Sequence, residues 1–185
     1  MTMRAIELLE KFGPSPSNRI LWVRVASQEL CLYESDACIA CWPVSSASNG
    51  VGCTEDSYQT PLGMHRIAEK IGSQSPPGTV FRGRELTGEI AQISLDPDDD
   101  CDDLITSRIL WLEGLEPGIN RGENVDSYRR YIYIHGTPEE GRIGQPASRG
   151  CIRMRNHDII TLFELVEPGT LVYIDPGQTS DTEMV

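Results

Sequence analysis

The chain has 185 residues, enough for one domain with a small appendage, and 39% of them are hydrophobic, enough for a sizeable core. Acidic residues outnumber Lys and Arg by 28 to 16, a formal charge of −12. That balance excludes binding to nucleic acid or to anionic lipid through net charge, because both need a basic footprint.

The start, MTMRAIELLEKFG, carries charges at Arg4, Glu7, Glu10 and Lys11 and has no apolar run or small-residue cleavage site. No signal peptide is expected, which implies a cytoplasmic protein, or a periplasmic one if a leader has been removed. Residues 3–12 place Ile6, Leu9 and Phe12 at helical spacing, and Gly13-Pro14 stops the helix. Residues 1–17 therefore read as an N-terminal helix and linker. Next, Leu21, Val23 and Val25 alternate with Trp22 and Arg24 as in a strand, Leu30 and Leu32 mark a second, and Ser27-Gln28 turns between them. Ala37 to Ser45 completes a meander. The stretch from Ala37 to Thr54 contains Ser, Asn, Gly and Pro, so it cannot span a membrane.

Residues 46–63 form a loop, Met64 to Ile71 returns as a strand, and Ser73 to Gly78 loops again around Pro76-Pro77. Asp96 to Asp103 holds six Asp in eight residues. It lacks the spaced pattern and closing Glu of a calcium loop, so a solvated acidic loop is expected. Residues 105–112 read as a buried strand and 114–127 as a long mobile loop. Tyr131 to Gly136 alternates strictly. Asn156 is expected to cap a helix whose Ile159, Leu162, Phe163 and Val166 face the core. Pro168-Gly169 turns into a last strand, and residues 177–185 form a polar tail. Many short strands without βαβ units predict a mainly β fold, a β-sandwich with a covering helix, over 18–176.

The chemistry concentrates between Tyr131 and Met154. Tyr131, Tyr133 and His135 point to one face of the predicted strand, and Ile132 and Ile134 to the other. Sixteen residues after the imidazole comes Cys151, between Gly150 and Ile152 and near Arg149 and Arg153. Residues 141–155 contain Arg142, Arg149, Arg153 and Arg155 and no acid. Such surroundings lower a thiol pKa and hold a carboxylate. The residues alone point to a Cys/His nucleophilic enzyme acting on an anionic acyl substrate. An inert buried thiol beside a satisfied strand-end histidine is the alternative, and it stays open on these features.

His135-Gly136-Thr137, Gly144 and Ser148-Arg149-Gly150-Cys151-Ile152-Arg153 resemble the signature of the L,D-transpeptidase catalytic (YkuD-type) family. The opening hairpin from Ser27 to Ser45, the turn Thr60-Pro61-Leu62-Gly63 and the segment from Asn156 to Ile174 are similar too. Arg149 stands where many members carry His. The resemblance implies a cysteine acyl-enzyme acting at the bond between meso-diaminopimelate and D-Ala in a peptidoglycan stem peptide or muropeptide. It implies Cys151 as nucleophile, His135 as base and then acid, and the Gly136 carbonyl as the group holding the ring. Backbone N–H groups of Arg149, Gly150 and Cys151 would form the oxyanion hole. Arg153, Ser148, Tyr133 and Arg142 would contact substrate or orient the turn, and the loop after residue 114 would act as a lid. With no export signal, a cytosolic L,D-carboxypeptidase trimming tetrapeptide to tripeptide in muropeptide recycling is expected. A cross-linking L,D-transpeptidase is the alternative, and an inactive muropeptide-binding module the second.

No cofactor, metal, nucleic-acid partner or membrane segment is expected. The six cysteines are expected to be mostly reduced. Cys38 and Cys41 lie in a predicted strand, where residues three apart face opposite sides, which argues against a metal there. His65 and His157 are expected at the surface or at a helix end.

Overall fold

The computed structural model describes residues 5–98 and 103–177. Its elements are helix α1 (Ala5–Phe12), strands β1 (Arg19–Arg24), β2 (Glu29–Glu34), β3 (Ala37–Pro43), β4 (Gly63–Ile71), β5 (Thr79–Arg82), β6 (Glu85–Ile90), β7 (Ile105–Gly114), β8 (Tyr133–Gly136) and β9 (Ile152–Met154), helix α2 (Asn156–Leu165), and strand β10 (Leu171–Asp175). The strands form one mixed sheet in the order β3-β2-β1-β10-β4-β7-β5-β6, with β8 pairing to β7 and β9 to β8. The β1/β10 and β8/β9 pairs are parallel. Beyond β3, Ser45 exchanges backbone hydrogen bonds with Arg153 of β9, so the two ends of the sheet meet.

The sheet closes because its strands share one apolar interior. Leu21, Leu30, Ile67, Leu110, Ile134, Ile152 and Val172 pack there in a single cluster with Ile159, Leu162 and Phe163 of α2. Each fully buried side chain of this kind contributes about 1.5–3 kcal/mol. This mixed sheet with a covering helix is the mainly β architecture expected from the sequence. Helix α1 packs outside it, but it turns Ala5 and Leu8 inward rather than centring on Ile6. The polar tail expected beyond Gly177 lies outside the described residues, as does half of the acidic run, residues 99–102. Among the described residues no helix is long and apolar enough to cross a membrane.

Several expectations give way. Residues 79–90 form a hairpin, β5–β6, that the sequence did not announce: β6 is exposed throughout and carries no burial alternation. Strand β8 begins only at Tyr133, because Tyr131 sits at φ +56° in a turn closed by its N–H to the Tyr128 carbonyl. The segment after β7 is tied down rather than loose. Buried Asn120 donates to the carbonyls of Leu62 at 2.9 Å and Met64 at 3.1 Å, and Arg130 donates to those of Cys53 at 2.9 Å and Gln59 at 2.7 Å. His65 is fully buried, not superficial, between the Gly63 carbonyl at 3.0 Å and the Ser127 hydroxyl at 2.9 Å.

Among the described cysteines Cys38, Cys53 and Cys151 are free, and one pair departs from the reduced state. Cys31 and Cys41 face each other across β2 and β3 and form a disulfide. Strand β3 bulges there: Leu32 pairs with Ala40 but Tyr33 with Cys38, leaving Ile39 as the extra residue. One inserted residue reverses the alternation beyond it, so Cys38 and Cys41 share a face.

Candidate active site

The site grows from the parallel pair β8/β9, in which Ile134 lies beside Ile152 and His135 beside Arg153. The two isoleucines enter the core. Alternation then turns Tyr133, His135, Cys151 and Arg153 to the opposite face. Cys151 closes a tight turn. The Ser148 hydroxyl donates to the Cys151 carbonyl at 2.5 Å and accepts the Gly150 N–H at 3.2 Å, while Thr60 donates to the Gly150 carbonyl at 3.0 Å. Gly150 adopts φ +127°, a conformation that favours glycine.

The Cys151 thiol is half-buried. It accepts the Tyr133 N–H at 3.4 Å and donates to the Tyr131 carbonyl, also at 3.4 Å. Burial pushes its pKa up to about 12, against the lowering effects of that N–H, Arg153 and Arg130. The cationic neighbourhood was expected to favour thiolate. Burial outweighs it, and Asp103 adds to the rise, while the Arg153 guanidinium is itself paired with Glu139 and, at 2.5 Å, with Asp103.

His135 is buried, with Nδ1 2.7 Å from the Gly136 carbonyl. A carbonyl only accepts, so the proton resides on Nδ1 and the lone pair on Nε2. Burial lowers the imidazole pKa to about 4, although Asp103 and the Gly136 carbonyl pull it upward. At neutral pH the resting pair is thus a thiol and a neutral imidazole on one face, with Asp103 and Arg153 as common charged neighbours.

Arg153 is 3% exposed and Ser148 is 1% exposed; the Ser148 hydroxyl and the two terminal nitrogens of Arg153 are spent on protein partners, while the buried Arg153 Nε has no hydrogen-bond partner. Tyr133 is buried, and its hydroxyl accepts from Arg84 at 3.4 Å. Arg142 lies half-buried, 3.4 Å from Glu139. Arg149 is the most exposed of these groups, with its Nε 3.9 Å from Asp103. A cleft of about 220 Å³ is lined by Tyr131, Arg149, Arg129, Arg130, Glu55 and Asp56. On the other flank Trp111 stacks on Tyr128 with ring centroids 4.0 Å apart, and the Arg84 guanidinium sits 4.7 Å above Trp111.

Three supporting residues escaped the sequence reading. Asp103 looked like the end of a solvated run, and Glu139 drew no reading, yet both clamp Arg153. Asn156 does not cap α2. Its Oδ1 accepts from Thr106 at 2.6 Å and Ser107 at 2.5 Å, its Nδ2 donates to the Thr137 carbonyl at 2.8 Å, and Glu140 takes the helix N–H at 2.8 Å. The carboxylate of Glu140 suits that end of the helix dipole, which frees the Asn156 side chain to tie β7 to the loop after β8. Gly136 leaves room for this knot: a Cβ there would lie 2.6 Å from the Thr106 carbonyl and 2.9 Å from Asn156 Oδ1.

The two buried histidines give stability a definite acid dependence. His65 and His135 both titrate near 4, lowered chiefly by burial, against 6.5 for the free side chain. Between those values the unfolded chain binds protons that the folded one does not. Stability is therefore full above pH 6.5 and falls as pH drops toward 4, by at most about 3 kcal/mol per histidine. Urea unfolding at pH 7.5, 6.0 and 5.0 checks this. His65→Gln should roughly halve the decline, and a midpoint that is flat over this range contradicts it.

The sequence profile described as YkuD, the L,D-transpeptidase catalytic domain, matches residues 18–174. Over 48 residues, 26% of this chain, the chain is 46% identical to the putative L,D-transpeptidase YkuD of Bacillus licheniformis. That match spans 29% of the relative's length. It is 48% identical over 48 residues, again 26% of this chain, to the probable L,D-transpeptidase YcfS of Escherichia coli, spanning 15% of that protein. The chain thus matches less than a third of the length of either of these curated relatives. In fold it is similar to L,D-transpeptidase 3 from Mycobacterium tuberculosis, with a TM-score of 0.52 and 14% identity, over 88% of this chain and 62% of that one.

Proposed function

The chain belongs to the L,D-transpeptidase catalytic domain family, and from that premise we propose that it is a cysteine acyltransferase of peptidoglycan stem peptides. In this reading Cys151 attacks the carbonyl on the L-centre of meso-diaminopimelate and D-Ala leaves. An amine from a second stem then resolves the thioester, which makes the protein an L,D-transpeptidase. The observation that carries the proposal is a neutral thiol and a neutral imidazole on one face of the β8/β9 pair, sharing Asp103 and Arg153 as charged neighbours, with the imidazole Nδ1 fixed by the Gly136 carbonyl at 2.7 Å.

The steps follow from that pair. Nε2 of His135 takes the thiol proton as the sulfur–carbon bond forms, and returns it to the departing D-Ala amine. The oxyanion is held by the N–H groups of Arg149 and Cys151, since the Gly150 N–H is turned back to Ser148. Ser148 and Tyr133 position the nucleophile, and Arg153 braces the strand that carries it. Recognition of the stem falls to the cleft of mixed charge, where Arg149 and Arg129 suit the carboxylates of diaminopimelate and Glu55 and Asp56 its amine. The names of the curated relatives favour transfer to an amine, and the hydrolytic reading has no such support.

The test is to incubate the protein with a defined tetrapeptide and an excess of amine acceptor, and to resolve the products by mass spectrometry. A dominant new amide is expected. Tripeptide as the main product would replace the reading with an L,D-carboxypeptidase. Binding without any thioester on Cys151 would leave only a muropeptide-binding module.

A further inference from the structure

The hairpin β2–β3, apart from the acyl-transfer machinery, carries a second sulfur chemistry. Three sulfur atoms, those of Cys31, Cys38 and Cys41, lie within 4.8 Å of one another. Cys31 and Cys41 are joined, and the third sulfur, Cys38, stands 3.5 Å from that of Cys41. The bulge at Ile39 brings it to that face. Cys38 and Cys41 are open to solvent, whereas Cys31 is 1% exposed. The Arg24 guanidinium donates to the Cys31 sulfur at 3.4 Å and is itself held by the Tyr33 hydroxyl at 2.7 Å.

We infer that Cys31, Cys38 and Cys41 form a thiol–disulfide exchange site that takes low-molecular-weight thiols and disulfides, with Cys38 as its entry point. Cys38 gives up its proton and bonds to the sulfur of Cys41. The Cys31–Cys41 bond breaks, and Cys31 leaves as a thiolate beside Arg24 and takes up a proton. Nothing is oxidised or reduced in this step; the disulfide moves from a half-hidden pair to an exposed one. An external thiol then attacks Cys38, releases Cys41 as a thiol and forms a mixed disulfide. A second external thiol frees Cys38 and departs as the small-molecule disulfide. The guanidinium stabilises the leaving thiolate, which is the group whose stability governs such exchanges.

The test uses the full chain equilibrated with reduced and oxidised glutathione at pH 8, quenched in acid, alkylated and mapped as peptides. A Cys38–Cys41 bond is expected in about a tenth of the chains or more, beside the Cys31–Cys41 bond. In Cys31→Ser, with folding verified by circular dichroism, Cys38–Cys41 should close in nearly every chain. The inference is overturned if the wild type shows Cys31–Cys41 alone and Cys38 and Cys41 of the variant stay separately alkylatable. It is equally overturned if the reduced protein retains zinc and no Cys38–Cys41 bond forms, which would make the cluster a metal site.

Discussion

Replacing Cys151 by alanine is expected to abolish acyl-enzyme formation and to cut turnover of a tetrapeptide by at least about 10³-fold, with the fold intact. The informative partner is His135→Gln. With the thiol held near a pKa of about 12, only about one molecule in 10⁵ is thiolate at neutral pH, so the nucleophile depends on the imidazole to lose its proton. The variant should be about 10³-fold slower at pH 7, and its rate of thioester formation should climb about tenfold per pH unit up to pH 10, while the wild type stays nearly flat. Intact-mass kinetics across that range would read both slopes. Parallel profiles for the two proteins would remove His135 from the proton-accepting role.

Arg153→Met is expected to destabilise the protein by about 3–5 kcal/mol, because it strands Glu139 and Asp103 at a site where the guanidinium is 3% exposed. Urea unfolding would show a lower midpoint. The loss should shrink when Glu139→Gln is added, since one of the stranded charges is then gone. This behaviour separates a brace from a substrate contact: a residue that only gripped substrate would leave the midpoint unchanged and raise KM.

The elements that could be read from the sequence are those with a periodic apolar pattern. Leu21 and Val23, Ile132 and Ile134, and Ile159, Leu162 and Phe163 all point inward as their spacing dictates. The proposed nucleophile and base could be picked out because strand alternation places His135 opposite Ile134, and Cys151 sits in a Gly-containing turn. What could not be read depends on contacts between distant segments. Asp103 and Asn156 look like a loop acid and a cap, and Glu139 draws no reading, until the fold brings residues some fifty positions apart together, as Asp103 and Arg153 are. The thiol pKa followed the same logic. Four arginines in the string suggest a cationic pocket, but only packing reveals that Arg142, Arg149 and Arg153 each face a carboxylate and that burial dominates. The disulfide was hidden by a single bulged residue, which no alternation rule anticipates.

The pairing of β1 with β10 has a consequence for biogenesis. Ile20 lies beside Leu171 and Val23 beside Ile174, so the neighbour of the first described strand is the last of the described strands to be made. At about 5–20 residues per second, a ribosome needs on the order of ten to thirty seconds to supply it. During that interval the edge of Ile20 to Val23 that β2 does not cover stays open to the crowded cell, the kind of edge that recruits chaperones or sticks to its own copies. Slow synthesis should therefore lower the soluble yield of this protein more than that of one whose neighbouring strands emerge in succession.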